Sequence, residues 1–93
     1  MTLDDFKKLS SPSDDFSPEL KALWHDFQGD WTKAHDQVDH LDGKSAARVH
    51  AYLHRKEGDQ WNADYWYRRA GEVRPGVSLE QEWEELAKRF LAV

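Results

Sequence analysis

Cysteine is absent from the 93 residues, which excludes a disulfide framework, a thiolate metal site and a thiol nucleophile. Apolar runs are short, and none approaches the ~20 residues that a helix needs to cross a bilayer. The N-terminus lacks the basic-then-apolar pattern of a secretory signal. Positive charge is in deficit: 13 Lys+Arg stand against 18 Asp+Glu, a formal net charge of −5. A basic footprint for phosphates is therefore missing. No segment alternates apolar and polar residues between hairpin turns, and there is neither a Gly-rich phosphate loop nor a nucleophile elbow around any serine. These absences leave the expectation of a soluble, cytoplasmic, all-α protein with no membrane and no nucleic-acid partner.

Aromatic residues are what the chain has in excess, with five Trp, three Tyr and four Phe. A chain of this size buries only roughly 60–65% of the surface exposed by its unfolded form. Large rings thicken such a core, since each buries ~150–250 Å². Charge is unevenly placed. Residues 44–74 carry seven Lys+Arg against four acids, whereas residues 1–19 and 20–43 each carry two basic and five acidic residues.

Helix signals begin at Ser17-Pro18-Glu19, an N-cap followed by a first-turn proline and an acid. Leu20, Leu23, Trp24 and Phe27 then share one face. Gly29 stops that helix and Asp30 caps the next, whose stripe is Trp31, Ala34, His35, Val38 and Leu41. Asp42-Gly43 ends it. A third helix is expected over 44–57 and a fourth over 60–73, separated by Gly58-Asp59. Ser78-x-x-Gln81 resembles a capping box opening a last helix, with Leu79, Trp83, Leu86 and Phe90 inward and Glu80, Glu82, Glu84 and Glu85 on an acidic outer face. Residues 1–16 are polar and turn-rich around Ser10–Asp15 and read as a flexible leader, although Leu3, Phe6 and Leu9 have the spacing of a short docking helix.

The Gly-Asp pairs recur 29 residues apart. Ala22, His25 and Ala34 around the first correspond to Ala51, His54 and Ala63 around the second, which is the pattern of a duplicated helix-turn-helix unit. The second unit resembles a tetratricopeptide repeat: Ala63-x3-Tyr67-x2-Ala70-x4-Pro75 follows that motif's small-x3-aromatic-x2-Ala-x4-Pro tail. His54 stands at the place of its helix-A aromatic, and His50 where a Leu is usual. The first unit keeps Ala22, Gly29 and Ala34 but has Val38 and Leu41 later and no final proline. The wider stretch from His50 to Gly71 also resembles a family of small uncharacterised bacterial proteins, a resemblance that carries no activity. It implies a five-helix array over residues 17–93: two short tetratricopeptide-like units and a C-terminal capping helix, a scaffold suited to binding a protein or peptide.

Two constellations carry chemistry. His50 and His54 are i, i+4 neighbours on helix three, and His35 on the adjacent stripe is expected to approach His50. Three imidazoles completed by water or a carboxylate satisfy zinc, and nickel is the other metal suited to them. The His-Glu-x-x-His arrangement of metalloproteases is absent. The plainer reading is three partly buried rings bonded to carbonyls or acids, with no cofactor. The second constellation is Trp61, Tyr65, Trp66, Arg68 and Arg69. Repeat packing requires only Ala63, Tyr67 and Ala70 to face the paired helix, so these five residues are free to form a surface for an acidic peptide or small anion. The plainer alternative packs Trp66 against the cap helix and bridges the arginines to its acids. The leading expectation is a non-enzymatic protein- or peptide-binding module. A metal- or ligand-binding protein or enzyme using His35, His50 and His54 is the alternative, and the aromatics also suit the interface of a homodimer.

Overall fold

In the computed structural model, which describes residues 1–92, the chain is all-α. The helices are α1 (Leu3–Lys8), α2 (Pro18–Phe27), α3 (Trp31–Val38), α4 (Lys44–Glu57), α5 (Gln60–Arg69) and α6 (Leu79–Leu91). No helix among the described residues is long and apolar enough to cross a membrane.

The expected caps form. Ser17 accepts from the Leu20 amide at 3.2 Å, Asp30 from Lys33 at 3.0 Å, Asp59 from Asn62 at 3.2 Å and Ser78 from Gln81 at 3.1 Å. Each satisfies an otherwise orphaned donor, for about 1 kcal/mol. Only half of the box at Ser78 closes, because the Gln81 side chain donates to Glu85 at 3.3 Å. The two Gly-Asp turns are alike: Gly29 and Gly58 have φ of 85° and 91°, which favours glycine. Their amides donate to the carbonyls of Asp26 and Arg55, at 2.9 and 3.1 Å, and the next residues, Asp30 and Asp59, donate to His25 and His54 at 2.9 and 3.0 Å. Helix α5 ends at Arg69, short of Val73, since Gly71 turns left-handed at φ 75°.

Six helices stand among the described residues where five were expected. The sixth is α1, inside the segment read as a flexible leader. Thr2 and Asp5 form a complete capping box, and the Leu3, Phe6, Leu9 stripe docks onto the core. Phe6 is fully buried, with its ring 5.7 Å from Phe16 and 6.0 Å from Trp83. The Leu9 carbonyl accepts from Trp24 Nε1 at 3.3 Å. The apolar spacing outweighs the polar turn that follows it.

Helix α4 is central. Small residues let α5 approach it closely, Ala51 and Ala63 enclosing the buried Tyr67, while α2, α3 and α6 pack around its remaining sides. Helix α6 lies across α1, α2 and α4 and meets α5 only through side chains, so it covers the layer of α2 and α4 rather than the end of a stack. Its Trp83 Nε1 donates to the Leu23 carbonyl at 3.0 Å. Glu82, expected on an outer acidic face, is fully buried. Its Oε1 lies 2.6 Å from Arg55 Nη1, and its Oε2 accepts from the Tyr67 hydroxyl at 2.5 Å. Arg48 Nη1 is 2.7 Å from Oε2, close enough for strong attraction though not aligned as a hydrogen bond. A buried charge is tolerable only with such partners. Phe27 departs from its expected inward position and is 46% exposed.

Truncating Phe6 to Ala removes a fully enclosed ring, and the expected loss is about 3–5 kcal/mol, a large share of the ~5–15 kcal/mol typical of a domain. Urea unfolding followed by tryptophan fluorescence measures it. An unchanged midpoint would mean that the first helix contributes nothing to the fold.

Candidate metal centre

Three histidines from two helices meet between α3 and α4. His35 lies on α3, one turn after Trp31. His50 and His54 are successive turns of α4 and stack with ring centres 4.7 Å apart. The His35 ring meets both edge-on, at 4.7 Å from His50 and 5.3 Å from His54. His35 Nε2 and His50 Nε2 are 3.0 Å apart, so one donates to the other. One nitrogen from each of the three rings lies within 4.8 Å of the others.

One outer nitrogen is tethered: His54 Nδ1 is 2.5 Å from Glu57 Oε1, whereas the carboxylate nearest His35 Nδ1, Asp39 Oδ2, stands 3.7 Å away, beyond hydrogen-bond distance. A carboxylate on Nδ1 sets the tautomer of His54 and leaves its Nε2 lone pair free, the arrangement that supports metal-bound histidines. Two tryptophans wall the cluster. Trp31 stacks on His35 at 4.8 Å and anchors its own Nε1 on the Leu53 carbonyl at 2.7 Å. Trp66, from α5, stacks on His50 at 4.0 Å.

The fit to a metal can be tested on this geometry. Nitrogens bound at ~2.0–2.1 Å to one tetrahedral zinc stand about 3.3 Å apart, so the 3.0 Å pair needs to open only slightly. The third nitrogen lies within 4.8 Å of both. Nitrogen donors of this kind suit zinc, nickel and copper, whereas calcium and magnesium require oxygen.

Burial holds His50 neutral. His50 is 5% exposed, and its pKa is lowered to about 4, first by desolvation, then by the adjacent His54 and His35, with Asp39 opposing. A neutral imidazole is the form a metal binds.

The structure thus brings together His35, His50, His54 and Trp66. Tyr65 and Arg69 form an outer layer: the Arg69 guanidinium lies 5.3 Å from the Trp66 ring centre and donates to the Tyr65 hydroxyl at 3.1 Å. Trp61 continues outward, nearly parallel to Tyr65 at 6.3 Å and 75% exposed. Arg68 is exposed and joins no ion pair among the described residues. Trp66 does not pack against the cap helix, and neither Arg68 nor Arg69 bridges to its acids. The arginines that reach Glu82 are Arg48 and Arg55, which project from α4. Trp31, Asp39 and Glu57 were missed as parts of the site. Their signal was helical spacing, with Trp31 and Asp39 four residues either side of His35 and Glu57 three after His54. Of the two histidines outside the cluster, His40 is exposed and His25 is half-buried.

Comparison with known proteins finds no matching family model, no similar curated protein and no similar solved structure.

In the metal-free protein the depressed pKa of His50 has a definite sign. The native ring stays neutral down to about pH 4, whereas the unfolded ring takes up a proton near its ordinary ~6.5. Between these values the unfolded state binds more protons, so stability is full above pH 6.5 and falls as the pH drops toward 4. The drop is of order 3 kcal/mol from this residue. Urea midpoints across that range should show it, and His50→Gln should flatten the dependence; equal slopes in the two proteins would contradict it.

Proposed function

We propose that this protein binds a divalent transition metal, zinc or nickel, at His35, His50 and His54. The observation that carries this reading is the convergence of three ring nitrogens within 4.8 Å, with a carboxylate against the far nitrogen of His54. Three protein ligands leave one position of a tetrahedral ion open, the pattern of reactive or ligand-exchanging zinc rather than closed structural zinc. Such an ion supplies Lewis acidity. The chain's own contribution is to hold the rings close together and to keep His50 buried and neutral.

Untagged protein should carry about one equivalent of zinc or nickel by elemental analysis after exposure to the metal and gel filtration, with thermal stability raised by mass action. His50→Gln should lose the metal while retaining helical circular dichroism. Wild-type protein that stays metal-free, with a melting temperature unmoved by either ion, overturns the reading.

A second, non-enzymatic reading makes the α5 face a binding surface for a protein or peptide, with a second copy of the chain among the candidates. It is supported by Trp61, 75% exposed, beside Arg68 and Arg69. The tetratricopeptide-like character of the α2–α3 and α4–α5 pairs, joined by turns of one kind, is in keeping with an interaction scaffold. Aromatic and arginine side chains dominate interface energetics. Replacing Arg68 and Arg69 together by Ala should weaken retention of partners from lysate at least several-fold, and unchanged retention counts against this surface.

A further inference from the structure

Helices α1, α2, α4 and α6 frame a cavity of about 520 Å³. Tyr52 and Lys56, one turn apart on α4, line it, so it lies on the side of that helix turned away from His50 and His54. Its apolar wall is a plate of two rings. Phe27 leans on Trp83 with ring centres 5.0 Å apart and planes inclined by 30°. Trp83 is fixed by its bond to the Leu23 carbonyl, whereas Phe27 remains 46% exposed.

The charges around this plate are unequal in number and in fit. Buried Asp26 is fully engaged, by the Tyr52 hydroxyl at 2.7 Å and by Lys56 at 2.8 Å. Glu80 and Glu84, one turn apart on α6, also line the cavity, and the only other lining cation is Lys7 of α1. Three carboxylates thus face two ammonium groups. Of the acids on α6, only Glu82 and Glu84 form ion pairs among the described residues, which leaves Glu80 unmatched.

Lys7 occupies the plate loosely. Its Nζ is 3.4 Å from Glu84 Oε1, against ~2.7–2.9 Å for a well-formed charge-assisted bond. It stands 5.8 and 5.7 Å from the Phe27 and Trp83 ring centres, near the ~6 Å outer limit of a cation–aromatic contact. The chain's own ammonium group therefore shows what the place attracts, while filling it poorly.

We propose that this cavity binds a small organic amine in its ammonium form, with the cationic head at Glu80 and Glu84 and an apolar body against Phe27. Lys7 is then a built-in competitor that the ligand displaces. An anion would add to the excess of negative charge, and a neutral molecule would leave it uncancelled. The site shares no residue with the histidine centre and does not depend on metal binding.

The full chain is titrated with phenethylammonium chloride at neutral pH and constant ionic strength, following the Trp83 indole N–H resonance by NMR. Phenethyl alcohol, of the same shape without the charge, is the parallel arm. A saturable shift is expected with the amine and a much weaker one with the alcohol. Phe27→Ala and Glu80→Gln each weaken binding about two- to fivefold, the worth of one exposed cation–aromatic contact or ion pair. Lys7→Met tightens it by a similar factor, as does Lys7→Gln, because the competitor is gone. Lys33→Met, the same change of charge on α3 outside the cavity, leaves binding unmoved, and circular dichroism confirms that each variant is folded. No saturable shift, an equal response to the alcohol, or no tightening in either Lys7 variant overturns the proposal. A tighter response to the capped tripeptide Ala-Lys-Ala overturns the assignment to small amines.

Discussion

One carboxylate with no access to water organises the architecture. Glu82 of α6 is met by Arg48 and Arg55 of α4 and by the Tyr67 hydroxyl of α5. An isolated charge in that position is prohibitively costly, and removing one partner of such a pair typically costs about 3–5 kcal/mol. The three helices are thus held to one mutual arrangement. A second buried carboxylate repeats the device on a neighbouring side, where Asp26 of α2 accepts from Tyr52 at 2.7 Å and from Lys56 at 2.8 Å. Both tyrosine hydroxyls stay protonated well above their ordinary range, chiefly because they are buried. Apolar packing alone would allow α4 to roll; these directional contacts do not.

That restraint reaches the histidines through helix geometry. At about 100° per residue, Arg48, Tyr52 and Arg55 share one side of α4 while His50 and His54 fall opposite. Pinning the first set toward α6 and α2 turns the second toward α3 and α5. The acidic contacts and the histidine cluster are two sides of one rod, and the cluster inherits its precision from bonds that it does not touch. The aromatic walls complete the enclosure, and burial rather than a charged neighbour is what lowers the pKa of His50 most.

Much of the fold was legible because its signals are local. A cap and the amide it satisfies are three residues apart, and a Gly-Asp turn closes within six residues, so both can be read from a short window. The stripe Leu3, Phe6, Leu9 was equally readable, but the polar run after it favoured a flexible leader. Glu82 was harder to place. It stands among three other glutamates of α6, and its burial depends on Arg48 and Arg55, more than 25 residues earlier. One local hint existed: Glu82 lies three residues after Leu79 and four before Leu86, at the border of the apolar stripe. At the centre, the i, i+4 pair His50 and His54 and the approach of His35 were readable from facing stripes. The stacking of Trp66 on His50 was not, because it depends on how closely Ala51 and Ala63 let α5 approach.

The separations of these contacts along the chain differ in kind. His35 meets His50 across 15 residues and Trp31 meets Leu53 across 22, whereas Trp83 reaches Leu23 across 60 and Lys7 reaches Glu84 across 77. Closing a short loop costs less entropy than closing a long one, and rates of folding follow that difference. The histidine cluster therefore belongs to the early-assembling middle of the topology, α3 to α5, while the strap formed by α1 and α6 belongs to its late closure. If these histidines bind a metal as proposed, an ion present during synthesis would meet them before the chain had finished wrapping.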